Sequence, residues 1–169
     1  AEAAQSVRLV RERADEWWID PQKILISGFS AGGHLAASLG VHWDAPALAE
    51  RCGVQDASVL RPDAMVLGYP VITAGQYAHR RSITHVSHAS GEPEQYWSLE
   101  ENVSEKTPPT FLWHTITDNS VPVENSLLFV QQLHRYGVAC ECHLFESGGH
   151  GTSVETREVD AASRAVNAW

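Results

Sequence analysis

The sequence predicts an α/β fold, a parallel sheet with flanking helices. Three observations predict it. Short apolar runs that read as buried strands alternate with segments of helical periodicity. Breakers separate those runs, at Asp20-Pro21, Pro70, Pro108-Pro109 and Gly137. The residues best suited to chemistry fall just after strands, and in such sheets functional groups gather at the strands' carboxyl ends.

Taken in order, residues from about Glu2 to Trp18 place Val7, Val10, Ala14 and Trp17 on one helical stripe. Asp20-Pro21 ends that helix, because proline cannot continue the ladder and biases its predecessor to extended backbone. Lys23 to Ser27 reads as a short buried strand. Ala31 to Val41, rich in small residues and leucine, reads as a tightly packed helix. Asp63 to Ile72 holds a second buried strand, with Pro70 ending its ladder. From Thr73 to about Thr107 the chain is polar and irregular, which is long for a connection and predicts a functional, lid-like loop. Thr110 to Trp113 is a third strand. Val123 to Tyr136 is a helix with Phe129, Val130, Leu133 and Tyr136 on one face, and Gly137 is placed to cap it. Cys140 to Phe145 is a fourth strand. Thr152 to Trp169 is a final helix. With no repeat, low-complexity tract or linker, residues 1–169 are expected to form a single domain.

Composition narrows the function classes. A net charge of −9 argues against nucleic-acid or anionic-membrane partners, since both need a basic surface. No window approaches the roughly 18 apolar residues of a membrane span. Residues 1–10 lack the basic–apolar–small layout of a signal peptide. Cys52, Cys140 and Cys142 are odd in number, and the last two sit two apart on one strand, so all three are expected to be reduced. These points together predict a cytoplasmic location. No metal or cofactor is expected.

Three motifs carry chemistry. Gly28-Phe29-Ser30-Ala31-Gly32-Gly33 is a G-x-S-x-G run between a strand and a helix. The turn is too sharp for large flanking side chains, and it presents Ser30 as a nucleophile. The Ala31 N–H and the helix's positive end face a developing oxyanion. Next, Asp118 follows the third strand, before Val121-Pro122. It can orient a histidine through Nδ1–H, or it can cap the following helix. Finally, Ser147-Gly148-Gly149-His150-Gly151 offers a histidine in a flexible loop after the fourth strand. The other eight histidines lie on predicted helices, on strands or in the 73–107 loop.

These stretches, with Arg61-Pro62-Asp63-Ala64, Tyr69-Pro70-Val71-Ile72-Thr73, Thr107 to Thr115 and Val121 to Ser126, resemble bacterial α/β-hydrolase esterases, in particular the acetyl-xylan and feruloyl esterase-like carbohydrate esterases. The chain order Ser, Asp, His is the order of that fold. The resemblance implies cofactor-free hydrolysis of carboxylic esters, such as acetyl groups on plant polysaccharide or its oligomers, with Ser30 as nucleophile, His150 as base and Asp118 as its orienting acid. It also implies a glycine-rich H-G-G-G-type loop that completes the oxyanion hole. No such motif precedes Ser30 here, so the chain is expected to be a C-terminal portion of the fold that lacks the N-terminal strands. Its first strand would then be an apolar edge, open to a complementing N-terminal segment or a second copy. Tyr69 and His79 are candidates to line the substrate pocket, with a core residue and a surface residue as the plainer readings. Trp97 is suited either to stacking on a sugar or to anchoring its loop. A serine peptidase of the same fold, and a catalytically weak remnant acting as a binding or assembly module, are the alternative functions. The sequon at Asn102 is expected to be unused.

Overall fold

The computed structural model describes residues 1–151. The helix expected over 152–169 lies outside the described residues. Element order is α1 (Glu2–Glu12), α2 (Ala14–Trp17), β1 (Leu25–Phe29), α3 (Ala31–His42), α4 (Pro46–Cys52), β2 (Ala64–Gly68), α5 (Arg80–Ser90), β3 (Thr110–Thr115), α6 (Glu124–Arg135) and β4 (Cys140–Phe145), with 3₁₀ turns at Ala57–Leu60, Glu94–Trp97 and Leu99–Asn102. The four strands form one sheet in the order β1-β2-β3-β4, and every pair is parallel.

Alternation along the strands sorts their side chains between the two faces. Met65, Leu67 and Leu112 join Ala36, Ala37 and Val41 of α3 and Phe129 and Leu133 of α6 in the main core. Val66, Phe111 and Trp113 point the other way and form their own cluster. The small side chains foreseen after Ser30 let α3 lie close on β1 and β2. A second core binds α1 to α3 through Ala4, Val7, Leu39 and Leu60.

Several boundaries move from the sequence expectation. The first helix breaks at Arg13, and Trp18 ends the second piece in the left-handed region. The first strand runs to Phe29 and so delivers Ser30 without an intervening residue. The second ends at Gly68, because Tyr69 turns away at φ 36° and Pro70 has no N–H to give. The stretch 73–107 is not irregular throughout. It holds α5 and two 3₁₀ turns, and Ile83 is the one buried residue of α5, so the polar sequence hid the helix. Helix α4 was also unforeseen, although Pro46 at its start and Gly53 past its end are the usual marks. Gly137 does cap α6: at φ 68°, its N–H reaches the His134 carbonyl and the Val138 N–H reaches Leu133, a Schellman closure.

Asn125 ties the two halves of the sheet's upper rim together. Its Oδ1 accepts from the Ile72 and Thr73 N–H groups, and its Nδ2 donates to the Tyr77 and Pro122 carbonyls. β1 is an edge strand among the described residues, with Leu25 55% and Phe29 44% exposed. The three cysteines are unpaired, and burial pushes the Cys140 and Cys142 thiols up to about 12 and about 11. Among the described residues, no helix is long and apolar enough to cross a membrane.

Candidate active site

The site begins with the turn between β1 and α3. Ser30 sits at φ 55° and ψ −121°, a conformation that side-chain-bearing residues rarely adopt. Three hydrogen bonds hold it there. The Ser30 N–H reaches the Gly68 carbonyl, and the Ser30 carbonyl accepts from the N–H groups of His34 and Val71. The glycines permit the crossing. A Cβ on Gly28 would stand 2.1 Å from the Gly32 carbonyl oxygen, and one on Gly33 would stand 2.8 Å from Pro70 Cβ. Ala31 is the first residue of α3, so its N–H has no partner within the helix and is available beside Ser30.

The second component arrives after β3. Asp118 is 7% exposed. Its Oδ1 accepts from the N–H groups of Ser120 and Val121 at 2.9 and 3.0 Å, and its Oδ2 lies 2.8 Å from His150 Nδ1. Burial, the largest single influence, disfavours the charged carboxylate. The hydrogen bonds from His150 and the two backbone N–H groups outweigh it and hold the carboxyl below its usual range. The helix-capping reading of Asp118 is not met: α6 begins at Glu124 behind Val123 with no side-chain cap, and Oδ1 instead closes a turn of its own loop while Oδ2 faces His150.

His150 comes last, from the loop after β4, and its Nε2 lies 2.7 Å from Ser30 Oγ. Residues 120 positions apart therefore meet, with the acid on the far side of the ring. The loop is pinned by residues that sequence reasoning passed over. Thr115 and Thr117 both donate to the Gly148 carbonyl, and the Gly148 N–H returns to Thr117 Oγ1. The Thr-x-Thr spacing, two hydroxyls on one side of a strand end, was the available signal.

Tyr69 and His79 divide. The Tyr69 ring packs edge-on against the His150 imidazole, with centroids 4.9 Å apart, so it braces that ring. His79 lines a cavity of about 920 Å³ that opens at Ser30 and Ala31 and runs along α3 to His42 and Tyr96. His79 Nδ1 is paired with Ser82 Oγ at 2.8 Å. Trp97 anchors its loop: the indole N–H donates to Ser90 Oγ, and the ring packs on the main core. His42 stacks flat on Tyr96 at 4.3 Å. His34 Nδ1 is 3.0 Å from the Val71 carbonyl, and burial pulls the ring's pKa down to about 4. The contacts of α3, His42 on Tyr96 and His34 on Val71, were not visible in the sequence, because they join residues far apart along the chain. No group of three or more His, Cys, Asp or Glu side chains is placed to hold a metal ion among the described residues.

A sequence model of one family, BD-FAE, matches residues 2–133, most of the chain and both the Ser30 turn and Asp118. The chain belongs to the BD-FAE family. Within reach of that family it is 40% identical over 162 residues to endo-1,4-beta-xylanase B of Butyrivibrio fibrisolvens, covering 92% of this chain and 24% of that protein. It is 29% identical over 154 residues to the acetylxylan esterase of Xylanibacter ruminicola, covering 87% of this chain and 29% of that one. Among solved structures it resembles an acetyl ester-xyloside bifunctional hydrolase from Caldicellulosiruptor lactoaceticus, with a TM-score of 0.77, 38% identity, and coverage of 98% of this chain and 62% of that chain. It also resembles the carboxylesterase Cest-2923 from Lactobacillus plantarum, with a TM-score of 0.78, 29% identity, and coverage of 96% and 62%. The BD-FAE chain therefore has the α/β-hydrolase architecture, and it spans about a quarter of the length of those two curated relatives.

Proposed function

We propose that this BD-FAE chain carries the catalytic groups of a serine esterase that removes acyl groups, acetyl in particular, from xylan-type carbohydrate. The observation that carries the reading is the line of contacts from Ser30 Oγ to His150 Nε2 at 2.7 Å and from His150 Nδ1 to Asp118 Oδ2 at 2.8 Å. The acetylxylan and xylan-related names of its relatives supply the substrate class.

The proposed steps use these contacts. Ser30 Oγ attacks the ester carbonyl carbon while His150 Nε2 takes the hydroxyl proton. Asp118 Oδ2 accepts from Nδ1–H, which fixes the tautomer and stabilises the imidazolium. The carbonyl oxygen becomes an oxyanion, stabilised by the Ala31 N–H and the amino end of α3. The tetrahedral intermediate collapses, and His150 returns the proton to the departing alcohol, leaving an ester on Ser30. Water, deprotonated by His150, repeats the sequence and releases the acid. Metal and cofactor have no part in these steps.

An oxyanion hole needs more than one donor, and loss of one costs about 10²–10³ in kcat. The exposed edge of β1 lies beside Ser30 and is where a complementing strand with further N–H donors would pair. The test is hydrolysis of p-nitrophenyl acetate and of acetylated xylo-oligosaccharides, with peptide p-nitroanilides as the contrasting substrates. Acetyl release that disappears in Ser30→Ala is expected. Preferential cleavage of the anilides would replace the esterase reading with a peptidase.

A further inference from the structure

Asp118 has a second histidine behind it. His114, near the end of β3, is fully buried. Its Nε2 lies 3.0 Å from the Val121 carbonyl oxygen and 3.3 Å from Asp118 Oδ2, the same oxygen that receives His150. Its Nδ1 lies 2.8 Å from the hydroxyl of Ser126, which is also fully buried, in the first turn of α6.

The proton positions follow from the partners. The Val121 carbonyl and the Asp118 carboxylate can only accept, so Nε2 carries the hydrogen. Burial, the largest influence on this ring, disfavours the imidazolium and keeps it neutral. Nδ1 therefore presents a lone pair, and the Ser126 hydroxyl donates to it. The tautomer is set from both ends.

We infer that His114 is a positioning residue for the triad: its Nε2–H, oriented by Ser126, holds Asp118 Oδ2 in line with His150 Nδ1. The inference rests on the proposed roles of Ser30, His150 and Asp118. The two carboxylate oxygens have separate duties. Oδ1 is fixed to the backbone of its own loop, and Oδ2 lies between two imidazoles. A buried histidine that only filled space would need Val121 and Ser126 as partners. This one also directs its N–H dipole to the oxygen that orients the base. The line Ser126, His114, Asp118, His150, Ser30 thus joins α6, β3 and both functional loops to the nucleophile.

Two measurements test this. The first is long-range ¹H–¹⁵N correlation of the histidine rings, which reads tautomers directly and needs no turnover. The expected result is a neutral His114 with its proton on Nε2, and a His150 Nδ1–H resonance that moves in Ser126→Ala. The second is the rate at which a fluorophosphonate labels Ser30 across the pH range. His114→Phe removes the N–H and is expected to slow labelling roughly ten- to a hundredfold, with a displaced acid limb. His114→Gln, whose amide N–H can occupy the Nε2 position, is expected to restore most of the rate. Ser126→Ala is a small change that leaves the packing, and an intermediate loss is expected. A proton on His114 Nδ1 would overturn the inference. So would a wild-type labelling rate and pH profile in Ser126→Ala, or in a folded His114→Phe. Failure of the parent chain to label at Ser30 would instead overturn the triad reading, and the ring spectra would still decide the role of His114.

Discussion

The Tyr69 ring stands edge-on to the imidazole of His150, with planes 70° apart and centroids separated by 4.9 Å. Asp118 and Ser30 engage the two nitrogens of that imidazole, and Tyr69 supports its face. Tyr69 itself is 6% exposed and holds a left-handed backbone at φ 36°, because β2 ends there. Truncation should free the ring of His150 to rotate. Tyr69→Ala is expected to lower kcat roughly tenfold with a smaller change in KM, measured by steady-state hydrolysis of p-nitrophenyl acetate.

The turn that lifts Ser30 depends on backbone passing backbone. At Gly28 an added Cβ would meet a main-chain oxygen at 2.1 Å, and no flexible side chain is there to move aside. Gly28→Ala should therefore displace α3 from β1. A destabilisation of about 1–3 kcal/mol is expected by thermal unfolding, with loss of Ser30 labelling in the protein that remains folded. An unchanged melting temperature would contradict the close packing described at this turn.

His34 gives the fold an acid-sensitive element. Its pKa falls from an ordinary 6.5 to about 4, because burial disfavours the imidazolium by more than the hydrogen bond to the Val71 carbonyl favours it. Above about pH 6.5 the ring is neutral whether the chain is folded or not, and its contribution is fully present. As pH falls towards about 4, the unfolded chain takes up a proton that the folded chain refuses, so stability is lost across that window. The difference corresponds to about 3 kcal/mol. His34→Asn, which keeps a donor for the Val71 carbonyl but does not titrate, should flatten the decline of Tm between pH 6.5 and pH 4. His42 and His114, also lowered by burial, account for the slope that persists.

Trp18 is 95% exposed and sits at φ 57°. A side chain there carries the cost of left-handed backbone and gains almost no burial in return. Relief of that cost, about 1–2 kcal/mol, exceeds the added chain entropy of glycine. Trp18→Gly is expected to raise Tm by a few degrees, read by differential scanning calorimetry.

Much of this was legible in the sequence, for reasons particular residues make plain. β1, β2 and β3 are short, mainly apolar runs that each follow a proline, and β4, Cys-Glu-Cys-His-Leu-Phe, follows Gly137, so the parallel sheet could be read along one dimension. Ser30, Asp118 and His150 stood out because each follows a strand end with its own local chemistry. The helix Arg80–Ser90 was not read, since its apolar stripe is short, Ile83, Val86 and Ala89, and only Ile83 is fully buried. The cavity wall was hidden for a different reason. His42 on Tyr96, and His34 beside Trp97, are contacts across more than fifty residues that no spacing rule connects. His114 was visible as a residue at a strand's end, but its partner Ser126 lies on the next helix, and only the fold makes them neighbours.

The proposed chemistry requires Ser30 to be the activated nucleophile. Peptide mapping of the chain after reaction with a fluorophosphonate answers this most directly. A single adduct on Ser30 is expected, absent from Ser30→Ala and nearly absent from His150→Ala, with acetyl ester turnover lost in parallel. An adduct on another residue, or turnover that survives Ser30→Ala, would contradict it.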